Sequence, residues 1–153
     1  MIHRIFSSLP TFKGLEFKAG LNVLVAQKEA GASERQTRNR AGKTSLVEII
    51  HFLTGSKAET GSLFRSAALA NESFGMAFDL GGEVVSAERS GHQRGMIHAE
   101  GARFLAARSR LSNSEWTELL GEKMFGLHTL PEADGPMPSF RSLFAYFVRR
   151  QSS

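Results

Sequence analysis

Thr37-Arg38-Asn39-Arg40-Ala41-Gly42-Lys43-Thr44 runs directly into Ser45-Leu46-Val47-Glu48-Ile49-Ile50-His51-Phe52-Leu53, and this stretch decides how the chain is read. Upstream lies Leu21-Asn22-Val23-Leu24-Val25-Ala26, an apolar run with strand character. Strand, polar loop, Gly-Lys-Thr and helix follow one another as in a phosphate-binding loop. The first N–H groups of a helix have no intrahelical partner, and the helix dipole adds partial positive charge there. Phosphate oxygens satisfy those donors. Gly42 lacks a Cβ and lets the backbone come close, Lys43 reaches the β- and γ-phosphates as a point charge, and the Thr44 hydroxyl is placed to hold magnesium. The layout therefore implies a nucleoside triphosphate and Mg2+. The candidate binding residues are Asn39, Arg40, Ala41, Gly42, Lys43, Thr44 and Ser45, with Thr44 as the metal ligand. Leu46, Ile49, Ile50 and Leu53 recur at helical spacing and form the buried stripe, which leaves Glu48 and His51 facing away from it.

The general pattern is G-x-x-x-x-G-K-[ST]. Thr37 stands where its first glycine belongs. A residue with a Cβ pays about 1–2 kcal/mol for the left-handed backbone that glycine adopts freely. A chance Gly-Lys-Thr at a helix start is the competing reading of the same residues.

Composition narrows the class. The chain has 153 residues, about one domain's worth, with 41% hydrophobic and 22% charged residues. A chain of this size buries a core without staples. Cysteine is absent, which excludes disulfides and thiolate metal sites. The five histidines (His3, His51, His92, His98, His128) form no metal-spaced pair. Met1-Ile2-His3-Arg4-Ile5-Phe6 lacks a signal-peptide core. No apolar run approaches the roughly 20 residues that span a bilayer. The expectation is a soluble cytoplasmic protein without a membrane partner. The formal charge of +4 is a mild attraction to polyanions. Arg35, Arg38, Arg40 and Lys43 gather around the loop, as expected of phosphate binding or a solvated loop, with a DNA-facing patch as the alternative.

Along the chain, residues 2–7 and 14–18 read as short strands, and a third strand covers Leu21–Ala26. Gln27 to Arg40 is a polar connection and the first helix runs from about Gly42 to Leu53. Residues 56–70 carry little pattern. Phe74, Met76, Phe78 and Leu80 alternate with smaller or polar residues, Gly81-Gly82 supplies a two-residue turn, and residues 83–89 return as the second arm of a hairpin. Residues 96–99 extend it. Ser112-Asn113-Ser114-Glu115 is a capping box that opens a helix carrying Trp116, Leu119, Leu120 and Met124, closed by Gly126. Trp116 is a core anchor. A last helix opens at Pro138-Ser139, with Phe140, Leu143, Phe144, Phe147 and Val148 as one apolar stripe. That stripe packs on the core or against a partner.

Three further places in the sequence bear on chemistry. Asp79 is the one acidic residue at the end of an apolar strand, and its position before Leu80-Gly81-Gly82 reads as a turn residue ahead of a magnesium role. Leu111 to Glu115 faintly matches the ABC signature L-S-G-G-[QE], but both glycines are missing and the cap explains the same residues. Gln151 is a weak candidate for a magnesium-contacting glutamine.

Several segments together resemble the N-terminal head lobe of an SMC-like ABC ATPase, and most nearly the ATPase of bacterial ABC-three-component systems. They are the opening Ile2–Phe17, the loop and helix Thr37–Leu53, Glu115-Trp116 through Leu127, and Pro138 through Arg150. The loop of that family reads T-R-N-G-x-G-K-[ST], so Thr37, Asn39, Gly42, Lys43 and Thr44 match and Arg40 replaces a glycine. The resemblance implies an α/β fold: a P-loop NTPase half-domain with an antiparallel hairpin layer and C-terminal helices, residues 1–153 forming one domain. It implies ATP and Mg2+ as ligands, a coiled coil and a C-terminal lobe outside this stretch, and a homodimer of heads sandwiching two ATP molecules. By that reading the lobe binds nucleotide and does not turn it over alone; DNA repair or anti-phage roles are family analogy. The reading from another class is a non-enzymatic interaction module with a decayed loop, docking a partner helix on the 140–148 stripe. A compact stand-alone kinase or GTPase is third, lacking a convincing second acidic motif.

Overall fold

Phe74, Met76, Phe78 and Leu80 all point into the core, and the strand that carries them is the centre of the protein. The computed structural model describes residues 1–25, 43–127 and 137–148, the side chain of Lys43 excepted. Its elements are β1 (Ile2–Ser7), β2 (Leu15–Glu16), α1 (Lys43–Leu53), β3 (Ser73–Leu80), β4 (Glu83–Ser90), β5 (Met96–Glu100), β6 (Arg110–Ser112), α2 (Asn113–Phe125) and α3 (Phe140–Phe144). The strands form one six-stranded sheet in the order β2-β1-β3-β4-β5-β6, and every pairing in it is antiparallel. This is a small α/β protein.

The hairpin forms as its alternation and turn predict. Gly81 and Gly82 adopt φ of 60° and 83°, which a primed two-residue turn requires. Register then places Arg89, Ala87 and Val85 opposite Phe74, Met76 and Phe78 on one face. Ala99, Ile97 and Leu111 continue that face, and Ile5 joins it opposite Met76. α1 lies on β3 and β4, and α2 spans β3, β5 and β6. The other face carries Arg4, Asp79, Glu88, His98 and Arg110. There Phe6 lies flat on Gly75, where a Cβ would stand 2.3 Å from the ring.

Both halves of the α2 capping box are present. Glu115 N donates to Ser112 Oγ at 3.3 Å and Ser112 N donates to Glu115 Oε2 at 2.8 Å. Gly126 closes the helix in the left-handed conformation. Trp116 is fully buried, and its indole N–H donates to Leu53 O at 2.8 Å. The patternless stretch after α1 contributes Phe64, stacked on Phe52 at 4.0 Å and edge-on to Phe74 at 5.2 Å.

Four expectations need correction. Leu21–Val25 forms no strand, so the strand that the phosphate-loop layout places before the loop is not found among the described residues and only the helix that follows it is; Ala26 lies outside the described residues. Leu21 is 92% and Val23 72% exposed. Asn22 instead folds back, accepting from Lys18 N at 3.0 Å and donating to Lys18 O at 2.7 Å, a local closure that competes with strand pairing. The strand read at 14–18 shrinks to Leu15–Glu16. The last helix is regular only over Phe140–Phe144, and turns carry residues 145–147. Its stripe splits accordingly: Phe140 and Phe144 are buried, while Phe147 is 73% exposed against Phe125. Finally, His51 points inward, 5% exposed, because α3 covers that side of α1.

Close backbone approach gives a sharp test. A Cβ on Gly91 would stand 1.8 Å from Phe64 O, whereas one on Gly95 meets nothing within 4 Å. Gly91→Ala should destabilise by about 1–3 kcal/mol or more. Gly95→Ala should stay within about 0.5 kcal/mol. Urea unfolding of both variants measures this; equal effects would contradict the packing described.

Candidate functional site

α1 brings the candidate residues as far as the structure describes them. Asn39, Arg40, Ala41 and Gly42, with Thr37, lie outside the described residues. Lys43 opens the helix, Thr44 is exposed on its first turn and Ser45 is half-buried. No acidic side chain sits on that turn. The dipole there is thus not offset by a carboxylate of the first turn. A threonine hydroxyl is a hard oxygen donor suited to magnesium, which keeps most of its coordination for phosphate and water. Thr44 therefore fits the ion chemically. Among the described residues no group of three His, Asp or Glu is gathered as a metal cluster.

The other end of α1 is fixed. Arg89 reaches it from the inner face of β4 and is 3% exposed. Its guanidinium donates to Phe52 O and to Ser56 O (2.8 Å), and to Arg94 O. It also stacks over the Phe52 ring, 4.3 Å from the centroid. Burial, with a smaller contribution from nearby Arg141, pulls its pKa down to about 10, so it remains a cation at neutral pH. A cation suits the negative end of a helix dipole. Arg141 adds a bond from Nη1 to Thr54 Oγ1 at 3.3 Å and places Nη2 3.3 Å from His51 Nδ1. An 11-residue helix is about 16 Å long, so this cluster is separate from the Lys43-Thr44 end.

Two candidates found elsewhere are engaged in structural roles. Asp79 lies within β3, opposite Val84, rather than in the turn, and on the sheet face away from α1. Its Oδ1 is 2.6 Å from His3 Nε2 and its Oδ2 accepts from the Met1 amine at 3.0 Å. Ser112 and Glu115 are engaged in capping α2, with Arg108 Nη1 on Glu115 Oε1 at 2.8 Å. The backbone N–H of Ser112 holds the Glu115 carboxyl below its ordinary pKa. Gln151 lies outside the described residues. The Arg89 cluster escaped the sequence reading. Its signal was present, since Val85, Ala87 and Arg89 share one strand parity.

Comparison with family models, with curated proteins and with solved structures finds no match to this chain.

Two outcomes follow from these contacts. Arg89→Met keeps the apolar stem and removes the side-chain donor from the carbonyls of Ser56 and Arg94, each costing about 1–3 kcal/mol when unmet, while Phe52 O keeps the Gly55 N–H at 3.2 Å. The variant should lose at least about 2 kcal/mol in urea unfolding, and a loss below about 0.5 kcal/mol would refute the clamp. For Asp79, the bond from His3, then the Met1 amine, lowers the folded pKa below the ordinary value. A depressed carboxyl contributes stability above its unfolded pKa and loses it as pH falls through the folded one. The stability gap between wild type and Asp79→Asn should therefore be open at neutral pH and close on acidification through the carboxylate range. A gap that widens on acidification would contradict the assignment.

Proposed function

We propose that this chain is the ATP-binding N-terminal lobe of an SMC-like, ABC-type ATPase, built on the P-loop plan and incomplete for hydrolysis alone. The observation that carries the reading is the asymmetry of α1. Its carboxyl end is clamped into the core by Arg89 and Trp116, while its amino end opens at Lys43 with an exposed Thr44 and no first-turn carboxylate. A helix held in that way presents its unpaired N–H groups in a fixed direction, as polyphosphate binding needs. Asn39, Arg40, Ala41 and Gly42 would wrap the phosphates, Lys43 would neutralise them, and Thr44, beside Ser45, would take Mg2+.

Incompleteness finds support in Leu21–Val25. A run with Leu21, Val23 and Val25 at one strand parity and Leu24 at the other suits a covered sheet. Here it is exposed. On this reading its neighbours belong to the C-terminal lobe, reached through a coiled coil, and a second head completes the ATP sandwich as a homodimer. A group that positions water against the γ-phosphate would come from those parts. DNA as the polyanion acted upon is the least supported element, resting on net charge and analogy.

The second reading, a non-enzymatic interaction module with a decayed loop, is favoured by Tyr146 and Phe147, which stand exposed beyond α3. Titration with MgATP separates the two. Wild type should bind, Lys43→Ala should bind at least tenfold more weakly, a loss of about 1.4 kcal/mol, and turnover should be near zero. Equal binding by both proteins would sink the nucleotide reading. A separate measurement addresses the exposed run: Val23→Asp should leave the stability of this chain within about 0.5 kcal/mol. Marked destabilisation would mean that the run already has a partner inside the chain.

A further inference from the structure

We draw no further inference here: the strongest candidate, the cavity of about 740 Å3 lined by Phe104, Leu105, Leu119, Leu127 and Phe140 beside α2 and the start of α3, also has Met137 in its wall, residues 128–136 between Leu127 and Met137 are not described, and nothing among the described residues shows what covers it.

Discussion

The guanidinium of Arg89 is the contact on which the arrangement of the other elements depends. It is buried without a carboxylate partner among the described residues, a costly placement for a charge. Three carbonyls and the face of Phe52 offset that cost. The carbonyls come from three separate segments: the end of α1, the turn after it, and the connection from β4 to β5. One side chain therefore fixes the helix, its exit and the β4–β5 connection relative to one another. A lysine could not do the same, because one ammonium does not offer a planar fork to acceptors on different sides.

Clamping at one end determines the direction of the other. Ile49, Phe52 and Leu53 seat α1 on β3 and β4, and the indole of Trp116 takes the carbonyl of its last residue. Rotation about the helix axis would pull His51 out from under Phe144 and break the bond between Arg141 and Thr54. On the first turn Leu46 packs against the core, while Thr44 stays exposed. Local stability and ligand reach are separated along the helix, which is the condition for leaving backbone donors unpaired at little cost to the fold.

What could be read from residues was whatever short-range chemistry dictates. The β3–β4 hairpin follows from strict alternation and from Gly81-Gly82, since few other pairs adopt two positive φ angles. The α2 boundaries follow from Ser112, Glu115 and Gly126, whose bonds close within four residues. At His51 and Arg89 the failures involve partners distant in sequence. His51 lies at the edge of the apolar stripe of α1, and only the position of α3 decides that it is buried. Arg89 has the strand parity of a core residue, but its charge argues for the surface until three carbonyls are found around it. Phe147 has the periodicity of a core residue and lies exposed, because regular helix ends at Phe144. For the candidate site, Lys43, Thr44 and Ser45 were placed correctly at a helix start, while Asn39 to Gly42 fall outside the described residues.

Leu21–Val25 separates propensity from pairing. Valine and leucine favour a pleated, half-buried surface, yet that preference is realised only against neighbouring strands. Among the described residues the sheet gives the run no partner: β2 occupies the edge after two residues, and Asn22 ties the chain back to Lys18. Four apolar side chains in water are then a standing cost, since their burial would be worth roughly 1.5–3 kcal/mol each. A fold with this much core does not need them for itself. Their exposure leaves an apolar surface that a strand from another segment could cover, which is the arrangement the proposed lobe requires.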